Sequence, residues 1–542
     1  MGKVLYRFYS FSLRGEKIEQ TILIGGAAGQ GINKISSIIT ELLSQHGYYI
    51  FNYRDYPSLI RGGHNFNIIS ISKNPVNSSV KKYDTILALD KNTERIHKKY
   101  LAKKGIIISA EKFKNPEKNL NILMAIEYLA KIGFPKNKLR TKLLNEFGKE
   151  TADLTEKVYG KYHRKNELPK LENKPKTMTG SEAVAIGAVK SKLNFYVAYP
   201  MTPSTGVLNE IAKRQNDKLM VVQGESEIGC ASMALGSSFA GKITMTGTSG
   251  GGFDLMSESL SMQGQSSIPL CVYLASRPGP ATGVPTYTAQ SELDIALRAG
   301  HGEFPRIVAA PGDAAEAVKL TNEILHLTYK HNTLGIILSD KHIAESEYSF
   351  NCPNLKLLPV KFNRDLPNKK IVKASSYEQN KFGNTTENAT ITKRNFDGRM
   401  KKYKIIKKDI EKNIEGIKVY GRRNSKSLII GWGSTKGAIL DAIKGLDVKF
   451  LQVIYLKPLS RKIKKEMETA KNLILVENNQ TGQLGRLLRE ATGISIKEKN
   501  RILKYDGRPF WRDELRTEIL KRKVGEITRR MKRKDEKKVN RK

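Results

Sequence analysis

The sequence predicts a multidomain α/β protein, and three observations carry that expectation. First, short apolar strands that end in glycine-rich turns and run on into helices recur along the chain, at EQTILIGGAAGQGINKISSIITELL from Glu19, ITMTGTSGGGF from Ile243 and SLIIGWGSTKGAILDAI from Ser427; strands alternating with helices are the units of an α/β sheet. Second, two charged, apolar-poor stretches, 165–176 and 346–420, interrupt this alternation and read as boundaries. Third, 542 residues, 39% of them hydrophobic, suffice for three or four domains of ordinary size. The predicted organisation is a first α/β domain at 18–165, a second at 177–345, an irregular crossing segment at 346–420, a third α/β domain at 421–515 and a basic tail at 516–542.

In chain order, the first domain opens with a strand, the turn GGAAGQG and an amphipathic helix. Gly25, Gly26, Gly29 and Gly31 let the backbone approach a ligand, and the helix start offers free N–H groups to an anion. The spacing is not that of a nicotinamide fingerprint, so a tight turn without ligand stays open beside a cofactor contact at Gly29 and Gly31. GYYIFNYRDYPSLIRGGHNFNIISIS then reads as strand, loop and strand. Later βα alternation points to a mostly parallel sheet. Arg61 and His64 in the loop could meet a phosphate or carboxylate, but no partner acid or second ligand accompanies them, so neither is placed among the catalytic residues.

The second domain begins at Thr179, a candidate N-cap with Glu182 three residues on, ahead of an apolar helix. NFYVAYP reads as a buried strand running into YPMTPST. Pro200 and Pro203 bracket Thr202 and place it on a stiff, non-helical turn. Glu227 follows, at the head of the small-residue stretch IGCASMALGSSFAG, which offers a carboxylate no polar partner. A first-turn acid favoured by the helix dipole is the alternative. ITMTGTSGGGF ends in a loop whose successive N–H groups, from Ser249 and Gly250, can form a nest for an anion. PLCVYLASRPGPATGVPT is a further buried strand that fixes Arg277 at its end, where ligands of open α/β sheets bind.

Composition narrows the function classes. No apolar run approaches the ~20 residues of a membrane span, and the first 17 residues lack the apolar core of a secretory signal, so they read as an extension and a cytoplasmic location is expected. Three cysteines, at 230, 271 and 352, without a CxxC, suit a reducing compartment and give no ligand set for a metal cluster on this chain. The formal net charge of +41 attracts acidic partners. Its lysines and arginines are spread along the chain, densest at Arg529–Lys542, as on a solvated surface. No nucleic-acid-binding motif accompanies them, which makes a nucleic-acid-binding protein the weaker class.

YPMTP, Glu227, TSGGGF and GPATGVPT, in this order, resemble the α subunit of the 2-oxoacid:ferredoxin oxidoreductases. The DYPSLIRGGHN loop and the GGAAGQG turn resemble that family's γ domain, here fused ahead of the α domain. The similarity extends through Gly383–Glu387 in the crossing segment and YDGRPF at 505–510, and the third domain resembles the C-terminal domain of transketolase-like enzymes. The resemblance implies oxidative decarboxylation of a 2-oxoacid to an acyl-CoA, with coenzyme A as co-substrate and ferredoxin as acceptor.

Such a reaction needs an electron sink that no side chain supplies, and thiamine diphosphate is the implied cofactor. A carboxylic acid in an apolar pocket can hold the proton its aminopyrimidine requires, a role that fits Glu227. By resemblance Thr202 hydrogen-bonds the substrate carboxylate and Arg277 pairs with it. The chain has no GDG motif followed by an Asn pair; PGDAA and YDGRPF are unrelated, and Asn478 and Asn479 follow no such motif. A separate β subunit is therefore expected to bind the diphosphate, Mg2+ and a [4Fe-4S] cluster. Tyr287 stands where 2-oxoglutarate enzymes of the family often carry a basic residue, which favours pyruvate or a larger apolar 2-oxoacid. A catalytically silent α-like scaffold is the remaining alternative.

Overall fold

Nineteen described strands form three sheets in the computed structural model, which describes residues 19–57, 63–113, 119–162, 167–351, 355–367, 370, 372 and 375–523. The strands are β1 (Glu19–Ala27), β2 (Tyr49–Asp55), β3 (His64–Ser72), β4 (Tyr83–Ala88), β5 (Leu101–Ser109) and β6 (Lys176–Thr179). β7 (Phe195–Ala198), β8 (Met220–Gln223), β9 (Thr244–Thr248), β10 (Leu270–Ser276), β11 (Arg306–Ala309), β12 (Leu334–Asp340) and β13 (Glu347–Phe350) follow. The last are β14 (Ile417–Gly421), β15 (Ser427–Trp432), β16 (Lys449–Val453), β17 (Tyr455–Lys457), β18 (Asn472–Glu477) and β19 (Arg501–Leu503).

The first sheet has the order β5-β4-β1-β3-β2-β13-β6. It is not mostly parallel as expected: β1 and β2 both run antiparallel to β3, and β13 runs antiparallel to β2 and β6. The loop between β2 and β3 spans eight residues, 56–63, too few for the crossover that a parallel pair needs. Two of its strands, β6 and β13, flank the second domain in sequence, so the predicted boundary between the domains cuts through one sheet.

The second sheet, β17-β11-β12-β10-β9-β7-β8, is parallel from β11 to β8. Its inner strands β10 and β12 are buried at every position, as expected for strands covered on both faces. The edge strand β17 comes from the third domain and pairs antiparallel to β11. The third sheet is β14-β16-β15-β18-β19. Apolar packing is continuous across these divisions: Phe51 and Tyr53 share one core with Tyr196, Tyr273 and Tyr348, and Val272 and Ile336 share another with Leu428, Ile430 and Trp432.

Two further expectations change. The segment 346–420 is not irregular throughout, since Ala389–Asn413 is a 25-residue helix capped by Asn388, whose side chain accepts from Thr390 N and Ile391 N. Its apolar contact is narrow, with Ile406 and Ile410 buried among lysines, and composition therefore concealed it. The basic tail begins later than 516, because residues 512–523 are helical and bury Leu515 and Ile519 completely. The densest basic run, Arg529–Lys542, and Cys352 lie outside the described residues.

A buried ion cluster fastens the third domain to the second. Lys436 pairs with Asp313, the N-cap of the helix Ala314–His331, and reaches Glu316 Oε1 at 2.7 Å; Lys418 reaches the same oxygen at 3.1 Å and Gln452 Nε2 donates to Oε2 at 2.7 Å. Burial pushes the Glu316 carboxyl up, but Lys436, Lys418 and the donated hydrogen bonds outweigh it and hold the group at about 2. Its contribution to stability is thus present above the ordinary carboxylate range and is lost as pH falls towards 2. Lys436→Met leaves Asp313 and Glu316 without their shared cation. We expect a loss of about 3–5 kcal/mol, read as a lower urea midpoint at neutral pH, and a weaker fall of that midpoint below pH 4.5 than in the wild type.

Candidate active site

In the second sheet the chain leaves β7 towards β8 on one side, and leaves β9 towards β10 on the other. The carboxyl ends of β7 and β9 are therefore a topological switch point, where an α/β sheet opens a crevice. YPMTP follows β7 and TSGGG follows β9, and the two loops touch, with Thr248 Oγ1 3.9 Å from Met201 Sδ. Residues 199–204 are non-helical, as the bracketing prolines require.

Glu227 is the first residue of the helix Glu227–Phe239, which is capped by Ser226, whose Oγ accepts from Gly229 N at 3.2 Å. The Glu227 side chain is 3% exposed, and its Oε1 is buried without a hydrogen-bond partner in the structure. The TSGGGF segment, expected to be a loop, opens the short helix Gly250–Leu255, and the glycines of its first turn make room for Glu227. A Cβ at Gly252 would lie 2.4 Å from Glu227 Oε1 and 2.1 Å from Thr248 Oγ1, so no other residue fits there as the structure stands. Ser249 Oγ, one position before Gly250, is likewise buried and unpartnered.

Arg277, at the end of β10, donates from Nη1 to the Thr202 carbonyl at 2.7 Å, so the YPMTP turn and the arginine are joined through the backbone. Burial works against its charge, and the Glu292 and Glu227 carboxylates oppose that effect in that order. Thr202, Glu227, Arg277, Ser249 and Gly250 thus belong to one cluster. Sequence reading missed its other acid, Glu292, whose Oε1 would lie 2.8 Å from a Cβ at Gly250 and whose Oε2 is buried without a partner. Burial pushes the Glu292 carboxyl up to about 7, with the Ser276 and Ser291 hydroxyls opposing and Asp340 adding to the rise. No local signal marked it, because Glu292 is one of two acids in the mixed stretch TAQSELDIAL.

Tyr287 is engaged by other partners. Its ring is covered by the Arg508 guanidinium at 3.6 Å, and Arg508 Nε pairs with Asp55 at 2.8 Å, which joins the loop after Arg277 to the first and third domains. Gly507, at φ +79, permits the approach, since a Cβ there would be 3.2 Å from Tyr287 Cβ. A basic group absent from position 287 in sequence is thus present beside it in space, so the inference of an apolar substrate from Tyr287 loses its footing.

Gly29 and Gly31 have positive φ, with Gly31 the left-handed cap of the helix Ile32–Gln45, and follow the end of β1 in the first sheet, where Ala27 pairs with His64, rather than joining the Glu227 cluster. His64 has a partner after all, since its Nε2 meets His97 Nε2 at 2.8 Å. Burial lowers His64 and, together with His64, brings His97 to about 4. A neutral pair of this kind favours the packing reading of His64. Arg61 lies outside the described residues. Asn478 and Asn479 bind Gln290 and the Lys504 carbonyl, which is a structural role.

Fold and cluster together define an α/β enzyme subunit that gathers a buried acid, a run of glycines and an arginine at the carboxyl ends of its parallel strands. Two family models match the chain: "Pyruvate flavodoxin/ferredoxin oxidoreductase, thiamine diP-bdg" over residues 186–413 and "Pyruvate ferredoxin/flavodoxin oxidoreductase" over residues 21–155. The 2-oxoacid:ferredoxin oxidoreductase subunit alpha of a Sulfolobus species is 30% identical, covering 92% of this chain and 96% of that one. The corresponding subunit of Sulfurisphaera tokodaii is also 30% identical, over 92% and 97%. A solved 2-oxoglutarate:ferredoxin oxidoreductase from Magnetococcus marinus, with 2-oxoglutarate, coenzyme A and succinyl-CoA bound, shares the fold at a TM-score of 0.82 and 24% identity, covering 94% of this chain and 100% of that one. The chain belongs to the 2-oxoacid:ferredoxin oxidoreductase α-subunit family.

The residues present fit thiamine diphosphate's pyrimidine half, because an acid oxygen without a donor stands against Gly252, in a run of three glycines. Two glycines of that helix start separate the close approach from mere helix composition. Gly252→Ala is expected to lower the thermal midpoint by several degrees, whereas Gly251→Ala, with nothing within 4 Å of its Cβ, is expected to leave it unchanged or raise it slightly, since Gly in a helix costs roughly 0.5–1 kcal/mol relative to Ala. Equal effects of the two substitutions would show that the approach to Glu227 is not what requires glycine.

Proposed function

We propose that the chain is the α subunit of an enzyme that oxidatively decarboxylates a 2-oxoacid to an acyl-CoA and passes the electrons to ferredoxin, sharing thiamine diphosphate with a separate β subunit. The observation that carries this reading is Glu227, buried against Gly252 with Oε1 unpartnered at the switch point. When bound, thiamine diphosphate supplies the nucleophilic carbon and the electron sink that loss of carbon dioxide requires.

The chain's own residues have the following roles in this reading. Glu227 Oε1 hydrogen-bonds a ring nitrogen of the pyrimidine and holds the proton that fixes its tautomer. Ser249 Oγ and the N–H groups at Gly250 line the same wall. Arg277, tethered to the Thr202 carbonyl through one nitrogen, keeps the rest of its fork for the substrate carboxylate, with the Thr202 hydroxyl as a second donor. The helix Glu227–Phe239 and the buried ends of β7, β9 and β10 exclude water from that side. Among the described residues no group of three or more His, Cys, Asp or Glu is placed to hold a metal ion, and Cys230 and Cys271 are buried free thiols. Mg2+ and the [4Fe-4S] cluster are assigned to the β subunit because the sequence has neither a GDG motif followed by an Asn pair nor clustered cysteines. No described helix is long and apolar enough to cross a membrane.

Purified alone, the chain is expected to be colourless and inactive, and co-expression with its β partner to give a brown complex that reduces viologen with a 2-oxoacid and coenzyme A. An iron–sulfur spectrum from the isolated chain would overturn the division of labour. In the complex, Glu227→Gln preserves shape but removes the acid. Turnover should fall by at least ~100-fold with the Michaelis constant for the 2-oxoacid little changed; near-normal turnover would reduce Glu227 to a helix-start residue.

A further inference from the structure

The large apolar side chains that stand in solvent are gathered rather than scattered. Twelve are exposed among the described residues, and four of these, Tyr199, Ile228, Leu255 and Val284, follow the carboxyl ends of the neighbouring parallel strands β7, β8, β9 and β10. They rim the cluster in which Glu227 Oε1 and Ser249 Oγ lack partners. Four more, Tyr377, Phe382, Phe396 and Met400, lie on the segment that crosses from the second domain to the third. Single exposed apolar residues are ordinary, but a concentrated set marks a surface that another molecule covers.

Tyr377 and Phe382 are each 66% exposed, yet the loop that carries them is firmly built. Thr386 N donates to the Glu378 carbonyl at 3.0 Å, Asn380 N to the Asn384 carbonyl at 2.9 Å and Phe382 N to Asn380 Oδ1 at 2.9 Å. The Glu378 carboxylate anchors the loop to the helix Ala389–Asn413, accepting from Asn395 Nδ2 at 2.7 Å and pairing with Arg399 at 2.7 Å. An ordered loop that holds two aromatic rings out in water gains nothing from them by itself, and such rings are the usual anchors of protein–protein contacts. Phe396 and Met400 stand one helical turn apart on the helix that supports the loop.

The two sets share one face. Ser376, Phe396 and Arg399 line a groove together with Glu258, Met262 and Gln265, and Arg399 Nη1 donates to Gln265 Oε1 at 3.4 Å. Leu255, Glu258, Met262 and Gln265 recur every three or four residues along the consecutive helices Gly250–Leu255 and Ser257–Ser266. An accessible stripe therefore runs from the catalytic rim to the crossing segment.

Charge and the divided site select the occupant. The helix Ala389–Asn413 carries nine Lys and Arg against three Asp and Glu. A second copy docked about a two-fold axis would set this patch against itself, and like charges repel. An acidic surface is attracted instead. The chain lacks the GDG motif for a diphosphate, so the chain that brings it has to approach Glu227 across this rim. A stable interface takes about 20–30 residues a side, more than the rim alone offers. We propose, on the basis of the function set out above, that the crossing segment is a docking arm: residues 376–400 hold an acidic surface of the β subunit, on a face continuous with the rim of the thiamine site.

The test measures assembly apart from turnover. The co-expressed complex is purified through a tag on this chain and diluted, and its dissociation is followed by sedimentation and by the iron retained per chain. Phe382→Glu and Met400→Glu are expected to weaken the association at least tenfold and to leave the thermal midpoint of the isolated chain unchanged, since neither side chain is buried in it. Phe382→Ala, which adds no charge, should weaken it in the same direction. Leu144→Glu in the first domain and Met220→Glu at the amino end of β8, also exposed apolar positions, should hold the β subunit as the wild type does. Wild-type association in the arm variants, or an equal loss in the two controls, overturns the proposal. So does a loss of self-association with β binding intact, which would make the face a contact between copies, and so does a wild-type affinity that rising salt does not lower. Turnover decides the other level. A complex assembled through this face that reduces viologen with no 2-oxoacid removes the proposed function and keeps the arm, whereas arm variants that bind the β subunit and turn over normally remove the arm and keep the function.

Discussion

A buried carboxyl oxygen without a donor is a standing cost of about 1–3 kcal/mol, and much of the second domain is arranged so that Glu227 keeps it. The Ser226 cap begins the helix one residue before the acid, which points the side chain out of the helix start rather than along an exposed face. Gly252 removes the side chain that would otherwise fill the space, and the neighbouring Ser249 hydroxyl is left unpartnered as well. Small residues in the helix then seat it against the sheet. A fold that wanted only stability would place a donor against Glu227 Oε1 or replace the acid; under the proposed function a ligand group completes the hydrogen bond.

The same economy of contacts extends between domains. Asp55, Arg508 and Tyr287 come from three domains and meet in one stack, and the Tyr53 hydroxyl donates to Asp55 at 2.8 Å beneath it. This stack lies directly after the loop that carries Arg277. Ser434 also donates to Asp340 and Gln290 to the Trp432 carbonyl, so the third domain touches the segments next to Glu292. The crevice is consequently supported from every part of the chain, although its own residues all come from the second domain.

How much of this was legible before the structure depended on whether the signal was local. The YPMTP turn, the Glu227 helix and the Thr179 cap, which accepts from Glu182 N at 3.1 Å, are set by residues within a few positions of one another and were all readable, whereas the glycines after β9, read as a loop, open the helix Gly250–Leu255. Which strands pair is a long-range matter. The antiparallel pairing in the first sheet, the transfer of β17 to the second sheet and the seating of Arg508 on Tyr287 join residues tens or hundreds of positions apart, and apolar periodicity identifies a strand without naming its partner. The helix Ala389–Asn413 escaped notice for a different reason, because it buries so narrow a stripe that its lysines dominate the composition. Glu292 was hidden by standing in a loop with no motif of its own.

The two strands lent to the first sheet have a consequence for how this gene could have been assembled. β13 covers the hydrogen-bonding edge of β2, whose residues are almost all buried, and β6 covers β13 in turn. A chain ending after the first domain would leave β2 as an open, apolar border, the kind of template that recruits strands from other molecules. Fusion to the second domain therefore does more than hold two units at high local concentration: it provides, within the same polypeptide, the protection against self-association that a free-standing version would have to obtain from a separate subunit.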